Sequence, residues 1–215
     1  MKHCWPVKCG CGQTINLEAA GTARFPSVHC PKCGNTIVPV GDELVHKRVF
    51  NRGYMELQDG DFTLAIVFAA MAVESYVAFL YLKWKRIDFD LSTGNQASET
   101  EEELWGEDLR KWNSVGARFD KVCDFLTGQT FDSFLSSNVA VLQKYPDLKA
   151  AASAKQWFQD ELFKKRNRVV HRGVIDYQQQ EAAACVELAR TLLEVFEQMD
   201  KVRYAKLMAR LQQTA

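Results

Sequence analysis

The stretch KKRNRVVHRGV, from Lys164 to Val174, sets Lys164, Lys165, Arg166, Arg168 and Arg172 around one Asn and one His. Arg166, Asn167 and His171 are the residues there whose types suit chemistry. Histidine ordinarily titrates near neutrality, so it can give or take a proton. A guanidinium grips phosphate or carboxylate oxygens with a planar fork of donors. Asn167 and His171 are four residues apart and share a helix face. Arg166 and His171 are five apart, about 140° around an ideal helix. They meet at one ligand only if the arginine wraps round, the helix end distorts, or a second copy contributes. The competing reading is a solvated basic helix end, as most charge runs are.

A second constellation lies near the N-terminus. Five of the 7 cysteines fall between Cys4 and Cys33. Such clustering fits metal binding in a reducing cytosol better than a disulfide framework. Cys9-Gly-Cys11-Gly and Cys30-Pro-Lys-Cys33-Gly are two knuckles. Each places a pair of thiolates at a tight turn, with glycine supplying backbone freedom. Together Cys9, Cys11, Cys30 and Cys33 would close a tetrahedral site that suits Zn²⁺. A closed thiolate set leaves no position for water, so this zinc is expected to be structural, with folding coupled to its binding. Cys4, His3 and His29 are spare ligand candidates, and the short first knuckle leaves room for Cys4 to replace one of the set. Four unrelated buried cysteines are the alternative. The stretch resembles a zinc ribbon whose first knuckle is C-x-C, over roughly residues 7–40.

The elements that must hold these residues are set by composition. The chain has 215 residues, 47% hydrophobic and 25% charged, with a formal net charge of +0. That suits one full domain plus a small satellite. It gives no overall field towards nucleic acid or acidic lipid, so any such affinity must be local. The N-terminus lacks an apolar signal core and reads as mature. Residues 1–42 carry short β-type runs, with strands expected at Phe25–His29 and Ile37–Val40. Residues 43–58 read as a connector with room for a short helix, and 59–215 as a helical bundle. The fold class is therefore mainly α, a bundle preceded by a small β-type ribbon.

Within the bundle, Asp59-Gly60-Asp61 offers caps for an apolar helix running to about Arg86. Its stretch Phe62–Leu82 is long enough to span a bilayer. Glu74 sits near the middle, where a carboxylate costs roughly 2.5–3.5 kcal/mol on insertion. A central bundle helix is expected, with no membrane. The polar stretch Asp88–Glu103 reads as a mobile loop. Helices are expected at Leu104–Thr127, at Phe131–Tyr145 closed by Pro146, at Ser153–His171 ended by Gly173, and at Tyr177–Gln212. In the last helix, Leu188, Leu192, Val195, Met199 and Val202 form a seam for another helix, in this chain or a partner.

R-N-x-x-x-H followed by R-G, at the end of the penultimate long helix of an all-α bundle, resembles the HEPN domain (higher eukaryotes and prokaryotes nucleotide-binding). The apolar opening helix with its acid, AAMAVESYVAFL, is similar to that family's first helix. The resemblance covers about residues 57–213. It implies a metal-independent endoribonuclease working as a homodimer in the cytoplasm, with Arg and His of both subunits lining one cleft. His171 would serve as general base or acid while a ribose 2′-OH attacks the adjacent phosphate. Arg166 would hold that phosphate, and Asn167 would orient the histidine or the phosphate. The products would be a 2′,3′-cyclic phosphate and a 5′-hydroxyl. Lys164, Lys165, Arg168 and Arg172 would contact RNA phosphates or simply confer solubility. Val169 and Val170 are expected to pack.

The family implies a bacterial toxin or antiviral-defence role, with a protein partner or antitoxin as regulator. Some members are non-catalytic, so an adaptor binding RNA or protein is the alternative. Glu74 needs a partner if buried. Arg166 or Arg168 would suit, which would fix the arginine for phosphate. A structural ion pair elsewhere or a solvent-facing edge are the rival readings.

Overall fold

The structure is a computed structural model that describes residues 3–8, 13–19, 28–34, 36–37 and 41–213. The chain divides into two compact units, Met1–Val45 and His46–Ala215. In the first, β1 (His3–Lys8) pairs antiparallel with β2 (Thr14–Ala19), from His3 opposite Ala19 to Lys8 opposite Thr14. β3 (Val28–His29) pairs antiparallel with β4 (Thr36–Ile37). Between them Gly34 adopts φ +72° and its N–H donates to the Cys30 carbonyl at 2.8 Å. That left-handed turn requires glycine, which accounts for its place after the second cysteine. The rest of the expected strands, Phe25–Ser27 and Val38–Val40, lies outside the described residues.

The second unit is helical, as composition implied. The expected connector is in fact α1 (Gly41–Asp59), a 19-residue helix. It was obscured by Gly53, an ordinarily poor helix residue. Here a Cβ on Gly53 would meet the Ala65 carbonyl oxygen, the Ala69 nitrogen and the Phe68 Cβ, each at 3.2 Å. Glycine therefore lets α1 press against the next helix. His46 of α1 stacks on Tyr76, ring centroids 4.2 Å apart.

α2 (Phe62–Thr93) is the central helix. Asp61 caps it, accepting from the Leu64 N–H at 2.9 Å. Ala65, Ile66, Ala70, Val73, Leu80 and Trp84 are buried against its neighbours. By length and composition α2 can cross a membrane, and half of its most apolar window is buried within the fold.

The expected loop Asp88–Glu103 is mostly helix. α2 runs on to Thr93, and α3 (Glu99–Arg110) begins after a short turn. Ser98 and Glu101 form a capping box, each bonding the other's backbone N–H. Two acids of this stretch pair across helices. Arg86 Nε donates to Glu102 at 2.8 Å, and Arg203 pairs with Asp88 at 2.5 Å.

The expected helix Leu104–Thr127 is split, because Ser114 caps a separate α4 (Val115–Thr127). Phe131–Tyr145 is likewise broken into α5 (Phe131–Ser136) and α6 (Val139–Lys144), the latter capped by Asn138. Pro146 opens α7 (Pro146–Ala150) at its first turn, where proline's missing N–H costs nothing. The last helix, α10 (Gln179–Gln213), packs chiefly along α2. Leu188, Leu192, Val195 and Met199 are buried in that contact, while Val202 is exposed. The seam thus serves this chain as far as Met199.

Candidate active site

The helix expected at Ser153–His171 carries a wider turn in its middle. α8 (Ala154–Phe158) passes into a π-helical turn, Gln159–Phe163, and on into α9 (Lys164–Arg172). The i→i+5 spacing takes up one extra residue and resets the phase of the α9 turns beyond it. Leu162 and Phe163 both turn into the core with Phe158. α9 stops at Gly173, whose φ is +63° and whose N–H returns to the Val169 carbonyl at 3.0 Å. Val169 packs on the core, but Val170 is 53% exposed and does not. Its position one residue on turns it off the buried stripe.

Arg166 points into α2. Its Nη2 donates to Glu74 Oε2 at 2.7 Å, and its Nη1 donates to Asn167 Oδ1 at 2.8 Å. The Arg166 and Glu74 side chains are 24% and 21% exposed. Of the two arginines that could pair with Glu74, Arg166 is therefore the one it meets. Arg166 Nε is buried and has no hydrogen-bond partner among the described residues. Thr63 Oγ1 donates to the Ile175 carbonyl at 3.2 Å, so the segment from Arg166 to Ile175 runs antiparallel along α2 from Glu74 back to Thr63.

His171 is exposed and makes no hydrogen bond or ion pair among the described residues. α9 stays regular to Arg172, so the angle of about 140° between Arg166 and His171 persists. One chain brings together Arg166, Asn167 and Glu74, and His171, on the Asn167 face of α9, bonds to none of them among the described residues.

The flanking cations differ among themselves. Lys164 pairs with Asp160 at 2.6 Å and Lys165 with Glu161 at 3.1 Å. The Lys164 hydrogen bond holds the Asp160 carboxyl below the usual range. Arg168 and Arg172 are exposed and hold no ion pair among the described residues. The i,i+4 acid–lysine spacing was a legible signal for the two pairs.

Sequence reasoning missed Tyr177 and Arg118. Tyr177 is buried and donates to the Lys165 carbonyl at 3.2 Å, tying α9 to the start of α10. Burial raises its pKa. Arg118 lines a small cavity beside Glu74. No local pattern announced either contact.

Of the expected zinc ligands, Cys30 is buried and Cys33 exposed, at either end of the turn closed by Gly34. That turn fits one knuckle of a thiolate site. Cys9 and Cys11 lie outside the described residues, and among the described residues no group of three or more His, Cys, Asp or Glu is assembled. Compared with protein-family models, curated proteins and solved structures, the chain matches none.

Proposed function

We propose that this chain is an endoribonuclease that cleaves RNA by attack of a ribose 2′-OH on the neighbouring phosphate. The observation that carries the reading is one short helix presenting Arg166, anchored by Glu74 and Asn167, together with an exposed His171. His171 takes the 2′-OH proton or returns one to the leaving 5′-oxygen. Arg166 neutralises charge building on the phosphate oxygens. Arg168 and Arg172 steer the backbone electrostatically. This chemistry needs a proton carrier and a guanidinium and no metal. The products are a 2′,3′-cyclic phosphate and a 5′-hydroxyl.

The reading includes a homodimer. Arg166 and His171 diverge on one helix, so a second copy supplies the missing half of each site. An exposed apolar surface beside α9 supports this. Leu64 and Met71, two turns apart on α2, are each 39% exposed, and Val170 of α9 and Ile175 just beyond it are exposed as well. In the first unit, the Cys30–Cys33 turn is read as half of a structural zinc ribbon completed by Cys9 and Cys11. A cytoplasmic toxin or defence effector held in check by a partner protein is the role this reading implies.

The alternative is a non-catalytic adaptor that binds RNA or a partner protein. It is favoured by Arg166 having both terminal nitrogens engaged within the chain. The two separate in one assay: purified protein with RNA in EDTA, beside Arg166→Ala and His171→Ala. The enzyme reading expects cyclic-phosphate ends and a loss of about 100-fold or more in each variant. Cleavage that survives both substitutions overturns the site. RNA binding without turnover, indifferent to His171→Ala, establishes the adaptor.

A further inference from the structure

Glu74 has a second guanidinium within its surroundings. A cavity of about 30 Å³ is lined by Glu74 and Arg118, with Val77, Ala78, Leu109 and Phe119 among its walls. It has room for about one water. One nitrogen of the Arg118 guanidinium is engaged, Nε donating to the Trp112 carbonyl at 2.9 Å. Its terminal nitrogens make no hydrogen bond or ion pair among the described residues. Arg118 and the carboxylate that anchors Arg166 thus face one shared cavity.

An anion gripped through both terminal nitrogens of Arg166 competes with the bonds they already make. Nη2 gives one N–H to Glu74 and Nη1 one to Asn167, and Nε is buried without a partner among the described residues. An anion that takes Arg166 away from Glu74 leaves a largely buried carboxylate uncompensated, which opposes binding. We propose that Arg118 is a positioning residue that accepts the Glu74 carboxylate when Arg166 turns to an anionic ligand. Glu74 then moves between two guanidiniums, and the cavity between it and Arg118 is the space it moves into. Arg166 is released without stranding a charge, and Arg118 never touches the ligand. The anion is taken to be an RNA phosphate, so this inference rests on the reading above for its ligand.

A double-mutant cycle on the full chain tests it, with thermal unfolding as the readout and no RNA present. Arg118→Gln alone should lower Tm by at most about 1 °C, because Arg166 still holds Glu74. In an Arg166→Gln background the same change should lower Tm by about 4 °C, because Arg118 is then the only partner left. Additive effects overturn the proposal. If Arg166→Gln does not fold, Arg166→Met serves in its place, since it keeps an apolar stem and removes every donor to Glu74.

A second arm measures Kd for a 2′-deoxy dinucleotide, which cannot be cleaved. Arg118→Gln should weaken binding about 5-fold in the native background and leave it unchanged beside Glu74→Gln. Equal weakening in both backgrounds would make Arg118 a direct ligand contact and overturn the exchange. The unfolding cycle and RNA cleavage are separate readouts. A cycle that couples without cleavage rejects the nuclease alone, and cleavage without coupling rejects the exchange alone.

Discussion

Charged and polar side chains inside this bundle are held by identifiable partners, some by one and some by several. Tyr81, fully buried on α2, donates to Asp108 Oδ2 at 2.5 Å. That bond holds the Asp108 carboxyl below its ordinary value of 3.8. A carboxylate depressed by folding contributes stability above its unfolded pKa and loses it as pH falls through the folded one. Tyr81→Phe should therefore cost about 1.5 kcal/mol at neutral pH. In thermal unfolding across pH, the gap to the native chain should narrow below about pH 4. A gap that stays constant would show that the hydrogen bond is insensitive to the carboxylate's charge. Burial raises the Cys123 and Cys185 thiols to about 11. Neither should be alkylated by iodoacetamide at neutral pH in the native fold, and both should react once urea unfolds it. At this scale the sequence was most legible where a residue contradicted its surroundings. Glu74 stood out as an acid in an apolar helix, and Arg166 as one of two arginines suited to it. Tyr177 and Arg118 did not stand out, because each acts on a residue that only tertiary folding brings near.

The elements were legible where periodicity and caps agreed. Asp61 and Gly173 marked real boundaries, and the leucine and valine seam marked α10. Composition misled where polar residues made helix–helix pairs, as Asp88 does with Arg203 and Glu102 with Arg86. The Ser98–Glu101 capping box was readable as S-x-x-E and outweighs the polarity around it. The π-turn was not readable, since it arises from the need to bury Leu162 and Phe163 together. α1 depends on one atom's absence. Gly53→Ala improves intrinsic helix propensity by about 1 kcal/mol. The added methyl nevertheless meets α2 backbone, which cannot move aside as a side chain end can. Overpacking of this kind costs about 1–3 kcal/mol. Net destabilisation is expected in urea unfolding, and a net gain would mean that α1 slides freely on α2.

At the scale of the whole molecule, the site's geometry and its surroundings make the same demand. A regular α9 sends Arg166 to Glu74 and leaves His171 in solvent, so the proposed nuclease site calls for a second copy. Exposed Met71 and Val170 lie on the same two helices, α2 and α9, where burial by a second copy would bring each half of the site to the other's partner. Putting a carboxylate on that surface should prevent association without touching the core. Met71→Asp or Val170→Asp is expected to shift the chain from dimer to monomer in sedimentation velocity, with unfolding unchanged. Cleavage of RNA should fall about 100-fold, as for loss of a proton-transfer group. Mixing Arg166→Ala with His171→Ala should then decide whether the halves come from different copies. If each site draws its arginine from one chain and its histidine from the other, mixed dimers contain one intact site and recover activity that neither variant has alone. If cleavage is retained by a monomeric Met71→Asp chain, the divergence of Arg166 and His171 is overcome within one molecule, and the paired site is wrong.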